Sequence, residues 1–184
     1  MPRSRGYTII EVVLVLSLIA IMAAMVLPKV SFLRFRQDAN GRLVQKTLIS
    51  AQQTAVRKNV NVLVVIDYAS SRLLVLPDAN DNGLADDANG VSWKLAEGAK
   101  FAIPTSTVDA ATPYYATGTT AITTTAAGPM ITFYPNGSAS GDAYIYVGVP
   151  NGRADALRAV ELAGSTGRTR LYRYVGARWV LSTP

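Results

Sequence analysis

Three stretches of this 184-residue chain hold side chains that could do chemistry. The first is Glu11, a carboxylate at the N-terminal edge of an uncharged apolar run over residues 12–27. An ionised carboxylate costs about 2.5–3.5 kcal/mol near a bilayer centre and less toward its edge, so this placement suggests a function beyond plain anchoring. The second is Asp78-Ala79-Asn80-Asp81-Asn82-Gly83-Leu84-Ala85-Asp86-Asp87. Oxygen side chains at alternate positions followed by Gly open a calcium loop, with Asp78, Asn80, Asn82 and Asp86 as candidate ligands. Against calcium, Asn89 stands where such a loop has its bidentate Glu, no flanking helices are expected, and these residues also build plain acidic hairpin loops. The third is Gly167-Arg168-Thr169-Arg170-Leu171-Tyr172-Arg173-Tyr174, followed by Arg178-Trp179. On a strand, Arg168, Arg170, Tyr172 and Tyr174 face one way, and Leu171 and Val175 face a core, with Arg173 the odd member. Guanidinium groups interleaved with aromatic rings can pair phosphates and stack bases, which makes Arg168, Arg170, Tyr172, Arg173 and Arg178 candidate DNA contacts. The competing readings are a solvated face with cation–π contacts and a contact to an acidic neighbouring subunit.

Composition narrows these chemistries. The chain has neither Cys nor His. That removes disulfides, thiolate nucleophiles and the commonest general base and zinc ligand, and lowers the odds of an enzyme. The net charge of +6 is unevenly spread. Residues 29–59 hold seven basic side chains against Asp38; residues 60–152 hold three against eight acids; residues 153–184 hold six Arg against Asp155 and Glu161. The chain is thus basic, acidic, then basic.

The elements that must position these residues follow from pattern. Residues 7–30 reach bilayer length, and three readings compete for them: a cleaved secretory signal, a plain anchor, or a segment processed ahead of the apolar run. No convincing small-residue cleavage site follows the run, because Ala20, Ala23 and Ala24 lie inside it. Over residues 31–59, Val44, Leu48, Ala51, Ala55 and Val56 recur at spacings of three and four and predict an amphipathic stem helix. Pro28 and Gly41 are its expected bending points. Strand patterns follow at 59–66, 72–76, 93–95, 101–103, 130–134, 143–149, 160–162, 168–175 and 178–181, with turns at 67–71 and 135–137. Residues 105–129, rich in Thr, Ala and Gly, read as a long loop or an irregular edge hairpin. The expected fold class is α+β: a long N-terminal transmembrane and stem helix packed on an antiparallel β-sheet domain at 60–184.

Gly6-Tyr7-Thr8-Ile9-Ile10-Glu11, set directly before the apolar run, resembles the class III signal of type IV pilins and type II secretion pseudopilins. That resemblance implies a leader at 1–6, cut between Gly6 and Tyr7 by a prepilin peptidase, with N-methylation of Tyr7. The family usually has Phe where Tyr7 stands. It also implies that Glu11 pairs with the new amine of a neighbouring subunit, since a buried pair is tolerated far better than either charge alone, and that Pro28 is the helix-bending proline. Ile131-Thr132-Phe133-Tyr134-Pro135-Asn136-Gly137 and Gly167-Arg168-Thr169-Arg170 resemble the GspH/FimT group of minor pilins and pseudopilins, in which the Gly-Arg-x-Arg element is associated with DNA capture. The function so implied is a minor pilin or pseudopilin subunit of a type II secretion pseudopilus or type IV pilus, at or near its tip. It would be held in the inner membrane with an extracytoplasmic globular domain, would be a peptidase and methyltransferase substrate rather than an enzyme, and would carry no cofactor besides a candidate calcium ion. Its partners would be the prepilin peptidase, other subunits, the membrane and, in the alternative reading, DNA.

Overall fold

The computed structural model describes residues 7–26, 32–84, 90–96, 98–101, 123–125, 128–149, 154–176 and 178–182. The chain divides into two compact units, Met1–Phe32 and Leu33–Pro184.

The first unit holds helix α1, Ile9–Val26. Thr8 caps it: the Glu11 amide donates to the Thr8 carbonyl at 3.1 Å and to its Oγ1 at 3.4 Å. The Thr-x-x-Glu spacing is that of a capping box, and it puts the carboxylate in the first turn, where the helix dipole favours it. Apart from Glu11 and Ser17, every residue of α1 is apolar, so no face is set aside for water. Among the described residues no helix is long and apolar enough to cross a membrane. At 1.5 Å per residue α1 extends about 27 Å, against roughly 30 Å of hydrocarbon. The expected span over 7–30 includes Pro28, which lies outside the described residues, as does the leader.

The second unit is built on helix α2, Phe32–Lys58. It ends where Asn59 takes a left-handed conformation at φ 54° and the Val60 amide donates back to the Ala55 carbonyl at 3.3 Å. Ten strands follow. Sheet A comprises β1 (Asn61–Asp67), β2 (Arg72–Asp78), β3 (Val91–Lys94), β5 (Thr123–Thr125) and β6 (Gly128–Phe133), in the order β3-β2-β1-β6-β5. Sheet B comprises β4 (Lys100–Phe101), β7 (Ala143–Gly148), β8 (Arg158–Ala163), β9 (Arg168–Val175) and β10 (Arg178–Leu181), in the order β10-β9-β8-β7-β4. Every pairing in both sheets is antiparallel. This is the α+β arrangement expected. Within 105–129, the described residues Thr123–Thr125 form an edge strand paired with β6.

The main core lies where α2 meets the inward faces of both sheets. Val44, Leu48, Ala51 and Ala55 join Val62, Val64, Ile66, Ile131 and Phe133 of sheet A and Ile145, Val147, Val160, Leu162 and Leu171 of sheet B. Burying each of the larger side chains contributes about 1.5–3 kcal/mol. One expectation changes here. Val56 is not part of the stripe; it is 52% exposed, one residue round the helix from buried Ala55. At Gly41 the helix runs on unbroken. A Cβ at that position would lie 2.7 Å from Leu171 Cδ1 and 3.3 Å from Arg158 Cβ, so the missing side chain lets helix and sheet approach.

Candidate functional sites

At the N-terminal site, Tyr7 is 83% exposed and directly precedes the capping residue. Glu11 is exposed too, and Gly6 lies outside the described residues. The chain therefore presents an exposed aromatic residue, a cap and a carboxylate at the head of an apolar helix.

At the strand site, pairing keeps the split of faces expected from alternation. Arg168 and Arg170 share the outer face with Tyr172 and Tyr174, whereas Arg173 shares the inward parity of Leu171, and Arg178 lies opposite Val175 on that same side. The site differs from its sequence reading in that the tyrosines are not a free stacking platform. Tyr172 and Tyr174 are each 6% exposed, in a cluster with Tyr146, Ala159 and Trp179. Tyr174 meets Trp179 edge-on with centroids 5.2 Å apart, and Tyr146 lies 5.7 Å from the same indole. The Tyr172 hydroxyl donates to Glu161 Oε2 at 2.8 Å. Aromatic surface prefers this mutual burial to water, which takes the rings out of reach of a base. Arg168 and Arg170 stay exposed, with Arg170 Nη1 3.8 Å from Glu161 Oε2.

The acidic loop folds onto its own backbone. Asp78 is buried; its Oδ1 accepts the Asn82 amide at 3.2 Å and its Oδ2 the Gly83 amide at 2.9 Å. Asn80 Oδ1 accepts the Asn82 amide at 3.3 Å, Asn82 Oδ1 accepts the Leu84 amide at 2.8 Å, and Asn61 donates to Asp81. The oxygens read as calcium ligands thus face amides and build a turn. Asp86 lies outside the described residues, and among those described no cluster of three acidic side chains could hold a metal.

Two polar sites escaped the sequence reading. Gln52 Nε2 donates to the Gly137 carbonyl at 2.7 Å and to the Thr166 carbonyl at 2.9 Å. It thereby joins the turn after β6 to the turn before β9, where Gly167 takes φ 62°. The signal was present: Gln52 stands four residues after Leu48, inside the apolar stripe. Arg158 is the other. Its side chain is 3% exposed; Nε donates to Asp38 Oδ1 at 2.6 Å, Nη1 to the Asp155 and Leu157 carbonyls at 2.9 and 2.7 Å, and Nη2 to the Arg34 carbonyl at 3.3 Å. Arg34 itself pairs with Asp155. The alternation of β8, in which 158, 160 and 162 share the inward face, was the signal for it.

Residues 1–27 match a family described as the prokaryotic N-terminal methylation motif. No curated protein matches the chain by sequence. Among solved structures the chain is similar to the minor pseudopilin EpsH from the Type 2 Secretion System of Vibrio cholerae. The likeness has a TM-score of 0.50 at 14% identity and covers 75% of this chain and 97% of that one. The chain thus joins a pilin-type methylation motif to a minor-pseudopilin fold, in keeping with the GspH/FimT resemblance.

Proposed function

We propose that this chain is a minor pilin or pseudopilin subunit, cut between Gly6 and Tyr7, methylated on Tyr7 and built into a type II secretion pseudopilus or type IV pilus. The observation that carries the reading is the coincidence of a methylation motif over residues 1–27 with a capped helix, apolar but for Glu11 and Ser17, and a β domain of the EpsH type. The inner membrane would hold α1 until assembly. Glu11 would then pair with a neighbour's amine and set register. The β domain would stand at or near the filament tip, with prepilin peptidase and sister subunits as partners. In this role the chain is a substrate of processing enzymes, not a catalyst, and needs no cofactor.

Intact-mass and N-terminal analysis of the chain, expressed with a prepilin peptidase, tests this. The expected product starts at methylated Tyr7. Gly6→Leu blocks the cut, and Glu11→Ala is cut normally but enters filaments poorly. A product that keeps Met1, or one cut beyond the apolar run, sinks the proposal.

A second reading, capture of DNA for uptake, is favoured by one observation: Arg168 and Arg170 lie exposed on one face of β9. With the tyrosines buried, binding would come from phosphate pairing alone. Titration with DNA at several salt concentrations tests it: Arg168→Ala with Arg170→Ala should weaken binding and flatten its salt dependence by about two charges. No binding at low salt rejects it.

A further inference from the structure

A groove of about 240 Å³ runs between the C-terminal half of α2 and the β3 edge of sheet A. Its floor is apolar: Val75, Pro77, Val91 and Trp93. Strand β3 ends its sheet, so among the described residues no strand lies along its outer side. Val91 and Trp93 lie opposite Val75 and Leu73, yet they are 51% and 47% exposed. Two large apolar side chains half bare at an edge that no described strand pairs are a feature folded chains usually avoid. On the helix side the two threonine hydroxyls are already satisfied, Thr47 donating to the Leu43 carbonyl at 2.9 Å and Thr54 to the Ser50 carbonyl at 2.7 Å. The rim is charged: Arg57 and Lys58 close the last turn of α2, both exposed and, among the described residues, in no ion pair.

We propose that this groove docks an extended segment of a partner chain, which adds a strand to the free edge of β3, lays an apolar side chain against Val91 and Trp93, and sets a carboxylate against Arg57 and Lys58. Each part answers one observation. The open edge supplies backbone hydrogen bonds, the apolar floor takes every second side chain of a strand, and the basic rim selects an acid. Single-stranded nucleic acid also seeks an exposed Trp beside cations. Here the groove runs along an edge strand, whose main-chain groups pair with an extended peptide and not with a nucleic acid. The groove lies wholly within Leu33–Pro184, so the proposal stands apart from the N-terminal motif.

The test uses the full chain in detergent and three probes. One is a capped six-residue peptide of Thr alternating with Leu, Asp and Asp; the second has Lys for Asp; the third is oligo-thymidylate. Tryptophan emission is the readout, and Trp93→Phe assigns it, since Trp179 is the only other indole. The acidic peptide should shift Trp93 emission saturably to the blue and bind at least about tenfold more tightly than its Lys twin, the ratio that about 1.4 kcal/mol gives. Arg57→Glu with Lys58→Glu, both at exposed positions, should reverse that preference. Equal binding of the two peptides, binding of neither, an unchanged preference in the double variant, or preference for the oligonucleotide would overturn the proposal.

Discussion

Arg158→Ala should cost far more than any exposed arginine of this chain. The wild-type guanidinium is 3% exposed and donates to Asp38 and to three main-chain carbonyls, those of Arg34, Asp155 and Leu157. Truncation strands those acceptors and removes a stem packed beside Gly41. Breaking a buried pair from one side costs about 3–5 kcal/mol. Asp38 is 40% exposed and recovers water, which puts the expectation at about 3–4 kcal/mol rather than higher. Arg158→Met keeps the stem and should restore about 1 kcal/mol of packing. Asp38→Asn keeps an acceptor but leaves the buried guanidinium without its counter-charge, and should cost about 2–3 kcal/mol. Exposed Arg42→Ala is the control, expected within about 0.5 kcal/mol of wild type. The assay is urea unfolding of Leu33–Pro184, which contains all three apolar clusters, followed by tryptophan fluorescence. If Arg158→Ala falls within about 1 kcal/mol of the Arg42→Ala control, the network does not hold α2 to sheet B and the reasoning fails.

Gln52→Ala removes the two donations that join the turns and should cost about 1–3 kcal/mol in urea unfolding. It should also speed amide exchange at Gly137 and Thr166 before it affects β1, an order that a global loss would not show. The Asp67 carboxyl is held below its ordinary value, first by the Ser70 hydroxyl and then by the Ser70 amide. Its contribution is present above the unfolded carboxylate's range and is lost as pH falls through the lowered folded value. Asp67→Asn should therefore lower stability slightly at neutral pH and flatten the acid limb of a pH–stability profile, so that variant and wild type converge at low pH.

Much of the architecture could be read from pattern. The spacing of Val44, Leu48, Ala51 and Ala55 gave the buried face of α2, and β-branched and apolar runs between turn residues gave nine of the ten described strands. What pattern missed were contacts between residues far apart in the chain. Gly41 looked like a weak point because helix propensity is local, whereas its use depends on Leu171, brought over it by the sheet. Tyr172 and Tyr174 looked available because alternation assigns a face without saying what else lies there; Trp179 and Tyr146 fill it. Asp78 was read as a candidate ligand from the spacing of oxygens, and the Asn82 and Gly83 amides that its own oxygens accept could not be read from that spacing. The N-terminal motif was legible because its meaning is local.

The attachments of α2 to sheet B come in a sequence. Asp38 holds Arg158, Gly41 meets Leu171, Gln45 donates to Thr169 at 3.4 Å, and Gln52 reaches the turn beside Gly167. Moving up the helix moves back along β9, so the two elements run antiparallel and are riveted along their shared length. A force applied along the helix axis then loads these links together, in shear, rather than opening them one after another as in peeling. No single rivet carries the whole load, and the sheet follows the helix before any link has to fail. A tug on the start of α2 is thereby felt at both turns beyond its middle, and the stem and sheet B behave as one mechanical part.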